Sequence, residues 1–517
     1  MTLDDRLRGL PGSRIAATAI SGVLMWLAFP PVNAGVVVFV APIPLLWALR
    51  TTTSAWRGAA LGALFGAVFF TPTLSWFRGL GVVAWIPLVF LMMIGSTLCA
   101  AAISTGRSWA GHRWLIGATG WWALWEFTRA RVPFGGFPWA SAGHPVGTLP
   151  WPRGSAQWIG STGWSVLVVG FAASVVLMVT ESDRRPARLV GGAIVILTVL
   201  GGMFAPDPVG PDVRVAVIQG NSPCPGTHCP GERETIFETH LALTQQVAPG
   251  AVDLIVWGEN SFGGSINPTY NPLVRSAMAA EARRTGAYLL VSGTRPAGPD
   301  HFDNINIVFH PTGRRIGEYM KRHPVPFGEY VPLRFLTAWI PQLDRVPRDM
   351  TRGEEVVVFD IDAADGAGRF GSVISFEGSF TRHLRSGVTA GAELMIVPTN
   401  EASFGYGAAS DQLLGMVRMS AASLGVDVVV AAITGKSAIV RADGSIESAT
   451  SLFEEATIVD TVTLRQQGRT LYGLVGDWLQ WLAILALAVV ATRDRVIAWW
   501  ERIPDIDDAV TPYRLGE

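Results

Sequence analysis

The chain is 517 residues long, 49% hydrophobic and only 16% charged, where soluble domains run nearer a quarter charged. Residues 1–211 hold 14 Arg, no Lys and 6 acids, a net of +8, while residues 212–517 hold 26 Lys+Arg and 35 acids, a net of −9. A basic, membrane-like half is thus joined to an acidic, soluble-looking half, which argues against an ordinary soluble enzyme and, with no basic domain outside the apolar segments, against a nucleic-acid partner.

A membrane span takes about 20 apolar residues, because the hydrocarbon is roughly 30 Å thick and a helix rises about 1.5 Å per residue. Stretches that approach this length run Ile15–Ala28, Val36–Ala48, Ala59–Trp76, Val82–Ile103, Trp114–Phe127, Thr162–Val179 and Leu189–Phe204, with an eighth at Trp478–Ala491. They predict about eight transmembrane helices, with buried soluble helices as the alternative for the shortest. Cytoplasmic loops retain Lys and Arg. With Arg6, Arg8 and Arg14 inside, alternate loops carry Arg50, Arg57, Arg107, Arg113, Arg184, Arg185 and Arg188, whereas the outer loops hold only Arg78, Arg129, Arg131 and Arg153. The same count brings Arg493, Arg495 and Arg502 back inside. The expected division is a seven-helix membrane domain (1–211), an extracytoplasmic domain (212–468), and a last transmembrane helix with a cytoplasmic tail (469–517). No small-residue cleavage site follows Trp26, so the first stretch reads as a retained helix rather than a signal peptide. Trp121, Trp122 and Trp125, with Phe134, Phe137 and Trp139 around Gly135-Gly136, suggest a loop at the outer membrane face that could wall a lipid chain; packing and interfacial anchoring explain the same residues equally well.

Beyond residue 211, near-continuous apolar runs read as strands covered on both faces: Val213–Ile218, Asp253–Trp257, Tyr288–Ser292, Ile305–Phe309, Arg369–Ile374, Leu394–Val397 and Val426–Ile433. Helical patterns at Arg233–Gln246, Pro272–Thr285 and Asp411–Leu424 alternate with several of them, which predicts a layered α/β domain. Residues able to do chemistry recur just after such runs. Asp253-Leu-Ile-Val-Trp-Gly-Glu259 ends in a carboxylate, Tyr319-Met-Lys321 presents one of only two lysines in the chain, and Gly371-Ser-Val-Ile-Ser375-Phe-Glu377 ends in a hydroxyl and a second carboxylate. Strand ends are rigid mounts on which such groups converge, although any one of them alone would more often be a surface charge.

Three features together resemble the Glu-Lys-Cys sites of the nitrilase superfamily: Glu259 after a Trp-Gly turn, Lys321 in Tyr-Met-Lys-Arg-His-Pro-Val-Pro-Phe-Gly-Glu329-Tyr-Val-Pro, and residue 375 before Phe-Glu377. The Val-Pro-Phe-Gly-Glu-Tyr-Val-Pro run, Gly136-Phe-Pro-Trp139 and Gln219-Gly-Asn221 narrow the likeness to the apolipoprotein N-acyltransferase family of bacterial membranes, over nearly the full length. The resemblance implies an αββα sandwich beside the helical membrane domain, and a ping-pong acyl transfer from a phospholipid to the α-amino group of a diacylglyceryl-cysteine lipoprotein. On this chain it makes Glu259 the general base, Lys321 the support of the oxyanion and residue 375 the nucleophile. Glu329 and Glu377 would orient the site and the amine, and Phe376 and Trp139 would line the substrate. Acyl transfer needs such a set: an activated nucleophile, a proton acceptor and a fixed positive charge at the developing oxyanion.

The family pattern expects Cys where this chain has Ser375. A free thiol has a pKa of about 8.5 and becomes a thiolate beside a base and a cation, whereas a serine hydroxyl is far harder to ionise, so impaired or absent acylation is expected. Phe376 in place of Tyr, Ser403 in place of Trp, and a two-cysteine insertion after Asn221 favour natural divergence over a single introduced Cys→Ser change. Cys224 and Cys229 would lie outside the cytoplasm, and a disulfide is preferred over metal binding because only His228 lies between them. No metal spacing, nucleotide-cradling loop or Gly-x-Ser-x-Gly elbow is present, so neither a metal nor another cofactor is expected. Two other readings remain. The chain could be a non-catalytic scaffold that binds lipid or lipoprotein, or that anchors a polyprenol-phosphate glycosyltransferase. It could also be a small-amide amidase, for which the membrane half would be superfluous.

Overall fold

Each expected apolar stretch falls on helix in the computed structural model, which describes residues 12–224, 229–337 and 340–500; His228, Arg6, Arg8 and Arg502 lie outside the described residues. The first half comprises α1 (Ser13–Leu27), a 3-10 turn at Gly35–Phe39 leading into α2 (Pro42–Arg50), α3 (Ala55–Thr73), α4 (Val82–Thr105), α5 (Gly111–Arg129), α6 (Ala156–Thr180) and α7 (Arg185–Met203). Ser54 caps α3, its hydroxyl accepting from the Arg57 amide at 3.3 Å. Gly58, Gly62 and Gly66 form a stripe at i, i+4 spacing that lets α3 lie directly on α4: a Cβ on Gly62 would sit 2.5 Å from the Ala100 methyl.

The expectation of eight membrane-crossing helices is met only in part. Among the described residues three helices are long and apolar enough to cross a bilayer: Val82–Ser108, Ala156–Thr180 and Arg185–Met203. Ser13–Leu27, Gly35–Arg50 and Trp478–Arg493 are apolar but shorter, and α5 carries His112, Arg113, Glu126 and Arg129. The aromatic cluster also needs a correction. Trp121, Trp122 and Trp125 belong to α5, not to a loop, because their rings have packing partners there: Trp122 meets Phe65 and Trp125 meets Phe70 edge-on, with centroids 6.0 and 6.2 Å apart. Phe134, Phe137 and Trp139 do lie in the irregular segment that follows.

The second half is built on β1 (Asp212–Gln219), β2 (Leu254–Trp257), β3 (Tyr288–Pro296), β4 (His301–Phe309), β5 (Arg315–Met320), β6 (Asp349–Met350), β7 (Val358–Ala363), β8 (Gly366–Ser372), β9 (Leu394–Thr399), β10 (Val428–Ala432), β11 (Ala438–Val440), β12 (Ile446–Ala449) and β13 (Ala456–Thr463). They form a seven-stranded sheet in the order β13-β1-β2-β3-β4-β5, with β6 on β4, and a six-stranded sheet in the order β12-β11-β10-β9-β8-β7. Alternation along each strand explains the layering. In β1, Val213, Val215 and Val217 face the core between the sheets, while Ala216 and Ile218 face α8 (Glu232–Gln245) and α9 (Pro272–Thr285). In β9 and β10, Leu394, Ile396 and Val429 face the same central core; Met395, Val397, Val428 and Val430 face α10 (Thr381–Thr389) and α11 (Ala409–Leu424). The result is an α-β-β-α sandwich, followed by α12 (Trp478–Trp500). Strands β7 and β11–β13 did not stand out in the sequence because each alternates with polar residues or is very short.

The two halves are fastened together by specific polar contacts. Arg382 on α10 donates to the carbonyls of Ala130 and Gly135 at 2.7 and 2.9 Å. Gln412 on α11 donates to Pro30 and Thr73 and accepts from the Trp76 indole. Within the sandwich, Phe370 is fully buried and stacks on Phe359 with centroids 5.3 Å apart. Truncation by Phe370→Ala is expected to destabilise the protein by about 3–5 kcal/mol, read as a lowered thermal midpoint in detergent.

Candidate active site

Strand direction explains why distant residues meet. β1, β2 and β3 run parallel, and β4 is antiparallel to both β3 and β5, so β5 points the same way as β2. In the other sheet β8, β9 and β10 are mutually parallel. Glu259 leaves β2, Lys321 leaves β5, Ser375 leaves β8 and Asn400 leaves β9, all at one end of the sandwich. Gly258 lets the exit of β2 press against β10: a Cβ there would lie 2.8 Å from the Ala432 carbonyl carbon.

Lys321 is 1% exposed. Its ammonium donates to Glu329 Oε1 at 2.7 Å and Glu259 Oε1 at 3.2 Å. Asn304, a buried residue of β4, donates from the same Nδ2 to both carboxylates, at 2.8 Å to Glu259 and 3.2 Å to Glu329. The second oxygen of Glu259 accepts from the Asn400 amide at 3.0 Å, and that of Glu329 from the Val325 amide at 2.7 Å. Burial works against the Lys321 ammonium, but Glu259 and Glu329 outweigh it and hold it charged well above its ordinary range.

Ser375 opens a short 3-10 turn, half-buried, with φ at 52°. A non-glycine residue in this left-handed region costs on the order of 1–3 kcal/mol and persists only where its surroundings hold it. Glu377 does the holding. Fully buried, it accepts from the Ile374 amide just before Ser375, from the Tyr319 hydroxyl, and from the amides of Arg322 and His323 just after Lys321. Burial raises the Glu377 carboxyl above the usual range, opposed by the Ile374 and Tyr319 donors and the Lys321 charge. One carboxyl thus fixes the turn that carries Ser375 and the segment that carries Lys321. The Ser375 hydroxyl itself meets Thr399 Oγ1 at 3.4 Å. Since Thr399 precedes Asn400, the residue bonded to Glu259, β9 links the serine to the charged cluster.

Phe376 packs against the first half of the chain. It stacks on Trp139 and Phe137 with interplanar angles of 12° and 23° and centroids 6.0 and 6.3 Å apart. Trp139 is held from below: Arg129 donates to its carbonyl and to the Ser141 hydroxyl, and Glu126 accepts from the Ala142 amide at 2.8 Å. An apolar wall from one half therefore meets a buried ion cluster from the other.

All the residues singled out in the sequence (Glu259, Lys321, Ser375, Glu329, Glu377, Phe376 and Trp139) belong to this one region. Asn304, Thr399 and Asn400 belong to it as well and were not anticipated in these contacts. Asn304 and Asn306 carried a usable signal, as amides inside an apolar strand where a buried polar group needs a partner; Thr399 and the Asn400 backbone amide carried none. Cys224 and Cys229 are joined by a disulfide with Cα atoms 6.1 Å apart. Among the described residues no group of three or more His, Cys, Asp or Glu is placed to hold a metal ion.

Two family models match the chain, one in each half. A family model for the apolipoprotein N-acyltransferase N-terminal domain matches residues 21–174, and one for carbon-nitrogen hydrolases matches residues 214–471. The chain is similar to proteins named apolipoprotein N-acyltransferase from Geobacter metallireducens (29% identity, 93% of this chain and 95% of the relative), Gloeobacter violaceus (28%, 95% and 95%) and Mycolicibacterium smegmatis (29%, 87% and 80%). Among solved structures, a mutant of a nitrilase-superfamily amidase from Nesterenkonia AN1 aligns at 18% identity and a TM-score of 0.37, over 52% of this chain and 93% of that one.

Replacing Lys321 by Met is expected to leave the buried Glu259 and the partly buried Glu329 without their shared cation, and to destabilise the protein by about 3–5 kcal/mol, measured by thermal unfolding of the full chain in detergent.

Proposed function

The chain belongs to the apolipoprotein N-acyltransferase family, and from that premise we propose that it transfers an acyl chain from phospholipid to the N-terminal amine of diacylglyceryl-cysteine lipoproteins through an ester on Ser375, slowly, because serine stands where the family uses cysteine. The observation that carries this reading is the buried Lys321 between Glu259 and Glu329, on strand ends that also mount Ser375.

In the first half-reaction the Ser375 oxygen bonds to the acyl carbon of the donor as Glu259 takes the hydroxyl proton. Lys321 stabilises the oxyanion of the tetrahedral intermediate, and the bond to the lysophospholipid oxygen breaks as the carbonyl re-forms, that oxygen receiving the proton from Glu259. In the second, the lipoprotein amine attacks the Ser375 ester, Glu259 takes the amine proton, and the serine hydroxyl is regenerated. Glu329 and Glu377 orient this machinery, and the stacked Phe376 and Trp139 provide an apolar surface for the acyl chain. The arrangement proposed around it is multi-pass, with the helices of residues 1–211 and the last helix in the cytoplasmic membrane of a bacterium and residues 212–468 on the extracytoplasmic side, where a disulfide persists.

The Ser375 hydroxyl, with Thr399 rather than a carboxylate as its polar partner, also favours a second reading: a scaffold that binds lipid or lipoprotein without turnover. Intact mass spectrometry of a diacylated lipopeptide separates the two, since transfer adds the mass of one acyl chain and a scaffold gives saturable binding with no gain.

Ser375→Cys is expected to form its acyl-enzyme on incubation with phospholipid on the order of 100-fold faster than the unmodified protein, followed as the mass of the peptide containing residue 375. Equal rates for the two would overturn the assignment of residue 375 as the slow nucleophile.

A further inference from the structure

A cavity of about 90 Å³ lies where the two halves of the chain meet, and none of Glu259, Lys321 and Ser375 lines it. Its walls come from three segments distant in sequence. The turn after α1 supplies Asn33, the segment between α5 and α6 supplies Trp139 and His144, and one face of α11 supplies Asp411, Gly415 and Arg418. A single water needs roughly 10–15 Å³ of such space, so the cavity has room for a group of several heavy atoms. Fixed contacts hold its walls: Gln412 ties α11 to the Pro30 carbonyl at 3.2 Å, and Arg153, paired with Asp443, donates to the Gly147 carbonyl at 3.2 Å.

Two features single this space out. The first is Gly415, within α11. Glycine is the poorest helix former after proline, yet a Cβ here would meet no atom within 4 Å, so no neighbour in the protein requires the glycine. The second is the set of donors around the cavity. Trp139 is 6% exposed and its indole Nε1 has no partner. Among the described residues the His144 imidazole and the Asn33 side-chain amide make no hydrogen bond. Arg418, half-buried, uses only its Nε, on the Gly444 carbonyl at 2.9 Å, and pairs with no carboxylate among the described residues. Burial and the neighbouring Arg153 lower it to about 10 against the opposing charge of Asp443, so it remains a cation at neutral pH. The carboxylate on the wall, Asp411, is already matched by Lys436 at 2.7 Å.

Donors without acceptors, one of them an unmatched cation withdrawn from water, are the complement of an anion with several oxygens. We propose that this cavity binds a phosphate group, its oxygens accepting from the Arg418 guanidinium, the Trp139 indole, the His144 imidazole and the Asn33 amide. The guanidinium fork can meet two such oxygens at once. The phosphate of a lipid headgroup and free phosphate present the same chemistry here. Seated in the cavity, the group joins the turn after α1, the Trp139 segment and α11, beside the indole that stacks on Phe376. Nothing in this binding requires acyl transfer.

The test is calorimetric titration of the full-length protein in detergent with two probes, inorganic phosphate and an ether-linked dialkylglycerol phosphate, which cannot donate an acyl chain. The matching dialkylglycerol is the control without phosphate. One saturable site that the control does not fill is expected. Arg418→Gln is expected to weaken binding at least about ten-fold. Gly415→Leu, which puts a side chain into the cavity and favours the helix, is expected to abolish it without lowering the thermal midpoint. Neither substitution touches Glu259, Lys321 or Ser375. Tighter binding of the lipid than of inorganic phosphate assigns the group to a headgroup; equal or tighter binding of inorganic phosphate assigns it to the free ion. No saturable phosphate binding, or an isotherm unchanged in either folded variant, overturns the site and leaves a cavity that holds water.

Discussion

The candidate site depends on one ammonium taken out of water between two carboxylates. An ionised lysine at 1% exposure is costly unless its charge is matched and its hydrogen bonds are made. Here Glu259 and Glu329 match it, and the Asn304 amide donates to both carboxylates at once. Because these residues come from β2, β4, β5 and the loop after β5, the ion cluster also fixes how the strand ends of the first sheet sit relative to one another. The backbone amides of Asn400 and Val325 then consume the outward-facing oxygens. The arrangement is rigid before any substrate arrives, as electrostatic stabilisation of an oxyanion requires.

Glu377 extends that rigidity to the second sheet. With acceptors facing the Ile374 amide on one side and Tyr319, Arg322 and His323 on the other, it couples the left-handed turn at Ser375 to the segment that carries Lys321. In the fold this carboxyl is the anchor on which the serine and the lysine hold their positions.

Much of this was legible in the residues and some was not. Strands buried on both faces show as continuous apolar runs, and charged or hydroxyl-bearing residues just beyond them show as interruptions, so Glu259, Lys321 and Ser375 could be singled out without coordinates. Uncharged participants give weaker signals: Thr399 resembles any strand-end threonine, and a backbone amide such as that of Asn400 has no side-chain signature at all. The helices of the first half were placed correctly, but their number as crossings is met only in part, because Ser13–Leu27 and Gly35–Arg50 are short and α5 carries four titratable residues among its tryptophans. Apolar composition reveals burial; it does not say whether lipid or protein does the burying.

The stacking of Phe376 on Trp139 has a further consequence. Every ionisable group of the cluster comes from the sandwich, yet the aromatic surface beside Ser375 comes largely from the segment after α5, which Arg382 grips through the Ala130 and Gly135 carbonyls. A fragment cut at residue 212 would keep the full set of charges and lose the floor beneath them. The charges and the aromatic surface beside Ser375 are thus inherited from opposite ends of the polypeptide, and neither end carries both by itself.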